Sequence, residues 1–87
     1  MKKIEINDAY FSEDNSVMII EAKYENDVKN VEFEINDNFR YIFEYLDSEI
    51  ITRSLFEIVA KNLDIDKNDI EYSKEDFEKI KNIIEIA

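Results

Sequence analysis

The residues able to do chemistry in this 87-residue chain are almost all carboxylates. Twenty-two Asp and Glu stand against 11 Lys and Arg, and His, Cys, Gly, Pro and Trp are absent. Without imidazole or thiol there is no general base poised near neutrality, no thiolate nucleophile, no disulfide and no structural zinc site. Ser48, Thr52 and Ser54 therefore lack a histidine to activate them. Without glycine there is no phosphate-cradling loop. Paired carboxylates could still divide acid and base roles if burial separated their pKa values. Only Asp8 falls on the expected inner face of a strand, at a sheet end where water or a hydrogen bond satisfies it. No catalytic residue is assigned, and the chain does not read as an enzyme.

One spacing suggests a metal. Asp64-Ile65-Asp66-Lys67-Asn68-Asp69 follows the start of an EF-hand calcium loop, with Glu75 at the twelfth position. The sixth position, which needs glycine, is Asp69, and the eighth, usually apolar, is Glu71. A polar connection leading into a helix cap accounts for the same residues. Neither a metal nor a cofactor is expected.

The elements that position these carboxylates follow from hydrophobic periodicity. The chain is 45% hydrophobic and 13% aromatic, enough for a core and too apolar for a disordered acidic tail. Fifteen Ile, nine Asn and nine Lys point to an AT-rich genome, which also explains the missing glycine. Turns that need positive φ must then use Asn or Asp. A single domain spanning residues 1–87 is expected, of the α+β class. Its first half reads as a three-stranded antiparallel meander over about 3–11, 16–25 and 28–35, and its second half as two or three helices over about 38–47, 49–63 and 74–86, packed on one sheet face.

Met18, Ile20, Ala22 and Tyr24 alternate with polar residues, as do Val31, Phe33 and Ile35. A two-residue turn at Asn26-Asp27 would pair Ala22 with Val31, Ile20 with Phe33 and Glu21 with Glu32. A three-residue loop, Glu13-Asp14-Asn15, would pair Tyr10 with Met18, Ile6 with Ala22 and Glu5 with Lys23, with Asn15 left-handed. The outer face would then carry Phe11, Val17, Ala9 and Ile19 at one end and Glu5, Glu21, Lys23, Glu25, Glu32 and Glu34 at the other. Asn36-Asp37-Asn38 and Asp47-Ser48 offer helix caps, with a break near Asp47. Ser73 caps the last helix, Asp76 sits three residues later, and Tyr72 can staple onto Phe77. The apolar stripe of that helix runs through Phe77, Ile80, Ile83, Ile84 and Ala87, while Phe39, Phe43 and Phe56 read as core and Tyr41 and Tyr45 lie off the stripe.

The formal net charge of −11 is spread along the whole chain. An excess of this sign repels nucleic acid and anionic membranes and favours a basic protein surface. Direct nucleic-acid and membrane binding are therefore not expected. No apolar run approaches the ~20 residues of a membrane span, and Lys2-Lys3 is not followed by the apolar stretch of a signal peptide, so a cytoplasmic protein is expected.

A short, strongly acidic chain with a three-stranded meander, following helices and AT-rich composition resembles the phage-encoded inhibitors of host defence known as anti-CRISPR proteins. The resemblance covers the whole chain and rests on size, charge and element order. It implies an acidic inhibitor, in the host cytoplasm, that blocks a basic nucleic-acid-binding surface of a CRISPR effector. From the residues themselves, two clusters could take the place of phosphates: Glu21, Glu25, Glu32 and Glu34 on the sheet, and Asp64, Asp66, Asp69 and Glu71 before the last helix. Phe11 and Val17 would add an apolar contact. The alternatives are an antitoxin or immunity protein that neutralises a basic toxin, and a structural module that self-associates through Phe11, Val17 and Ile19.

Overall fold

The computed structural model describes residues 2–86, without the side chains of Phe43 and Ile86; the core places expected for Phe43 and Ala87 lie outside the described residues. The architecture is α+β, as the periodicity predicts. A two-residue strand, β1 (Lys2–Lys3), leads into β2 (Glu5–Phe11), β3 (Val17–Tyr24) and β4 (Asp27–Glu34), an antiparallel sheet in the order β2-β3-β4. Helix α1 (Asp37–Tyr45) and helix α2 (Ser48–Asn62) follow, then a 3₁₀ turn (Lys67–Asp69), the short strand β5 (Ile70–Glu71) and helix α3 (Lys74–Ile86). The parallel pair β1–β5 was not anticipated: Lys2 faces Ile70 and Lys3 faces Glu71.

The helix boundaries follow the caps. The Asn36 side chain accepts a hydrogen bond from the Phe39 N–H at 2.9 Å, and Asp47 accepts one from the Glu49 N–H at 2.8 Å. Leu46 is extended, with ψ at 149°, so the chain breaks between α1 and α2 where Asp47 predicts it. Helix α3 begins with the Asp76 N–H donating to Ser73 Oγ at 3.0 Å, and Tyr72 and Phe77 stack with centroids 5.9 Å apart.

Met18, Ile20, Ala22, Val31 and Phe33 from the inner sheet face join Ile51, Leu55, Phe56 and Val59 of α2 and Ile80 and Ile84 of α3 in one buried cluster. Phe56 is central, its ring stacked 4.0 Å from Tyr72 and 6.3 Å from Phe77. Thr52 is fully buried, and its hydroxyl donates to the Ser48 carbonyl one turn back at 2.7 Å, so its burial leaves no unmet polar group.

Both hairpins depart from the expected pairing. The second hairpin turns at Glu25-Asn26, one residue earlier than expected, with Glu25 at φ 56°. The pairing therefore shifts by two: Ile20 faces Val31, Met18 faces Phe33 and Glu21 faces Asn30. A shift of two keeps every side chain on its expected face. The expected opposition of Glu21 and Glu32 does not occur, because Glu32 faces Ile19.

The first hairpin closes with Ser12 N–H donating to the Val17 carbonyl at 2.8 Å, leaving a four-residue loop, Glu13 to Ser16. Asn15 takes the left-handed conformation as expected, at φ 58°. Glu5 still faces Lys23 and Ile6 faces Ala22, but the register then slips at a bulge around Asn7, so that Asp8 faces Glu21 and Tyr10 faces Ile19. The bulge exchanges the faces of everything that follows it. Ala9 enters the core and Phe11 packs against it, while Asp8 and Tyr10 move outward.

Candidate acidic interface

With the register set, the outer sheet face has a defined composition. It carries Glu5, Asp8 and Tyr10 from β2, Val17, Ile19, Glu21 and Lys23 from β3, and Val28, Asn30, Glu32 and Glu34 from β4. Five carboxylates share this surface with one ammonium. Cross-strand rows place Tyr10 beside Ile19 and Ile19 beside Glu32; the next row is Asp8, Glu21 and Asn30. Asp8 and Glu21 are like charges directly opposed, an arrangement that costs stability and gains only if a cation comes to the surface. Tyr10 and Val28 are exposed, at 45% and 51%, and Ile19 and Val17 are half-buried.

The sheet cluster expected from sequence is thus largely assembled, with two changes. Glu21, Glu32 and Glu34 lie on one face; Glu25 sits in the hairpin turn at its end. Val17 belongs to the face, and Phe11 does not, because the bulge turns Phe11 inward. Asp8 and Tyr10 were the residues missed. Phe11 thereby leaves the apolar patch considered for self-association, while Val17 and Ile19 stay on it beside Tyr10 and Val28.

The second expected cluster lies on a chain reversal made by its main chain, and of its four carboxylates that of Asp66 also serves as a cap. The Ile65 N–H donates to the Ala60 carbonyl at 2.8 Å and the Asp64 N–H to the Lys61 carbonyl at 3.2 Å, the paired bonds of a Schellman cap. Asp64 holds the left-handed position at φ 58° that glycine normally fills. The Asp66 carboxylate accepts from the Asn68 N–H at 2.8 Å and starts the 3₁₀ turn that contains Asp69. The Glu71 carbonyl accepts from the Ile4 N–H at 2.8 Å, joining β5 to the start of the sheet. Asp64 and Asp66 line a groove of about 550 Å³ together with Glu57, Lys61 and Lys67, so lysines answer most of its negative charge. Among the described residues no group of three or more side chains is placed to hold a metal ion. The loop does not fold as an EF-hand.

One carboxylate is electrostatically distinct. Asp14 Oδ1 accepts from Ser16 Oγ at 2.6 Å, Ser12 Oγ at 2.8 Å and the Ser16 N–H at 3.1 Å. These donors, led by the Ser16 hydroxyl, lower its pKa from 3.8 to about 2. Its role is to hold the first hairpin loop together.

Comparison with protein-family models, curated proteins and solved structures finds no match for this chain. Among the described residues no helix is long and apolar enough to cross a membrane.

Proposed function

We propose that this chain is an acidic protein-binding inhibitor that occupies a basic, nucleic-acid-binding surface of another protein, with a CRISPR effector as the target class and the cytoplasm of an infected cell as the setting. The observation that carries the reading is the outer sheet face, where Glu5, Asp8, Glu21, Glu32 and Glu34 surround the Tyr10–Ile19 pair with only Lys23 to offset them. Residues two apart along a strand repeat at roughly 7 Å, and the ladder fixes them there before any partner arrives. A channel built to hold phosphates attracts such an array, and its affinity falls as salt screens it. Tyr10 supplies an exposed aromatic anchor beside the charge.

The test is guide-directed DNA cleavage by a panel of purified CRISPR effectors, with and without the protein, at low and high salt. Inhibition that weakens with salt and with added competitor DNA is expected for at least one effector. The Glu32→Lys/Glu34→Lys variant should lose at least tenfold in potency, while its stability stays within about 0.5 kcal/mol of the parent, as exposed substitutions do. Equal potency of that variant would remove the sheet face as the site, and absence of inhibition and binding across the panel would remove the target class.

A further inference from the structure

The two edges of the sheet are finished differently. Along the first part of the β2 edge, from Ile4 to the bulge, the outward main-chain groups find partners. The Ile4 N–H donates to the Glu71 carbonyl at 2.8 Å, and the Ile6 N–H donates to Asp76 Oδ2 at 3.1 Å. The Ile6 carbonyl accepts from Lys79 Nζ at 3.2 Å, and the Ala9 N–H donates to its neighbour Asp8 Oδ1 at 2.9 Å. Up to the Ala9 N–H that edge is closed by β5, by α3 and by the side chain at the bulge.

The β4 edge has no such cover. The Ile35 N–H donates to the Ser16 carbonyl at 2.8 Å, which sets the phase of the ladder. Because antiparallel bonds alternate, Phe33, Val31, Lys29 and Asp27 turn their main-chain groups toward β3, and Glu34, Glu32, Asn30 and Val28 turn theirs away. Those four residues are exposed, and among the described residues their outward N–H and C=O groups have no hydrogen-bond partner. The pairing with β3 runs without a bulge from Asp27 to Glu34, and the chain holds no proline to interrupt it. Natural edges of this length are normally blunted by a bulge, a proline or a cover. Here only side-chain charge does so, and at Glu32 and Glu34 it is of one sign. Lys29, the nearest cation on the strand, is committed elsewhere, with its ammonium donating to the Asn62 carbonyl at 3.0 Å.

We propose that β4 is a docking edge that receives an extended segment of a basic protein as an added strand, with main-chain bonds to Val28, Asn30, Glu32 and Glu34 and with Lys or Arg side chains set against the carboxylates of the same face. The proposal rests on the reading of the partner as basic, and it adds the backbone geometry of capture. A cation on the outer face of the incoming strand falls within ~5 Å, between Cβ atoms, of the glutamate opposite it. Main-chain bonds give such strand addition its affinity, and alternate side chains give it selectivity. Charge complementarity also chooses the occupant. A second copy would bring its own five sheet-face carboxylates to the same surface, against a net charge of −11 on each chain.

The experiment titrates the isotope-labelled full chain at low salt with an eight-residue, end-blocked peptide of alternating Lys and Val. A second peptide of the same sequence is N-methylated at alternate residues, which keeps its charge and removes its edge-facing donors. The first peptide should slow amide exchange at Asn30 and Glu32 at least tenfold, and the methylated one should bind at least tenfold more weakly. Asn30→Pro removes one outward N–H without touching the β3 ladder and should weaken the first peptide to a similar degree; the methylated peptide tests the same bond should that variant not fold. Equal binding of the two peptides would overturn strand addition, and so would no binding of either. Protection of the same amides that grows with protein concentration, in the absence of peptide, would assign the edge to a second copy and overturn the basic partner. Peptide docking that persists while no CRISPR effector is inhibited would retire the target class and leave the edge standing.

Discussion

Asp76 is the side chain on which the closed edge depends, and replacing it tests how the helices hold the sheet. Its carboxylate is 14% exposed, accepts from the Ile6 N–H at 3.1 Å and lies 3.9 Å from Lys79, which in turn donates to the Ile6 carbonyl. A hydrogen bond to a charged group contributes about 1.5–3 kcal/mol when its loss strands a part-buried partner. The ion pair adds little, because Lys79 is 40% exposed and exposed pairs contribute about 0–1 kcal/mol. A carboxylate in the first turn of α3 adds about 0.3–1 kcal/mol through the helix dipole. Asp76→Ala should therefore cost about 2–3 kcal/mol, and for a domain of this size that lowers the melting temperature by roughly 10–20 °C. Asp76→Asn keeps an acceptor for Ile6 and should cost about 1 kcal/mol, the charge-dependent part alone. Urea melts of the three proteins give the energies, and native-state amide exchange gives the place. Ile6 should lose protection in Asp76→Ala while Glu5, whose partner is Lys23 on β3, keeps its own. A loss below about 0.5 kcal/mol, the range of ordinary surface changes, or an Asn variant as damaged as the Ala variant, would refute this account of the edge.

Two further predictions concern the loops. Asp64→Gly places the residue with no Cβ penalty at the φ 58° position that ends α2, and should raise stability by about 0.5–1 kcal/mol in the same urea assay; a decrease would show that the Asp64 side chain contributes more than its backbone costs. The Asp14 carboxyl should titrate near 2 by carbon-detected NMR, against 3.8 for an unperturbed group. Because its folded pKa is the lower one, its contribution is present in full above about pH 4 and is lost as the pH falls toward 2. Asp14→Asn should flatten the stability profile in that window, and an unchanged profile would mean that the serine hydroxyls do not hold the loop in solution.

The helices were legible because their signals are local. Asn36, Asp47 and Ser73 announce their caps within three residues, and the break near Asp47 needs nothing from the rest of the chain. The sheet was legible to the level of faces in β3 and β4, since a register error of two residues preserves the alternation. It failed at β2. The apolar alternation through Ile6-Asn7-Asp8 does not show the bulge, where Asp8 caps the Ala9 N–H and Asp76 and Lys79, some seventy positions away, bind the Ile6 main chain. That bulge moves Phe11 off the candidate interface and brings Asp8 and Tyr10 onto it. The β1–β5 pair escaped for a related reason, since two residues are too few to show a period. In the Asp64–Glu71 segment the calcium-loop spacing was misleading, because Asp64 takes a left-handed cap position and Asp66 caps a 3₁₀ turn.

The Asp76–Ile6 contact also bears on the order in which the chain can fold. Closing a loop of about 70 residues costs roughly 4 kcal/mol of chain entropy before any contact within it forms, whereas the two hairpins close over only a few residues each. The hairpins and α2 can therefore organise early, and the α3 side chains lock onto β2 near the end of the reaction. A contact made that late falls outside the transition state, so its strength is felt in how slowly the native protein opens and hardly at all in how fast it forms. During synthesis the first strand is made long before Asp76 and Lys79 emerge. Until they do, the start of β2 is as bare as β4, and like charge on the sheet face opposes edge pairing between neighbouring chains.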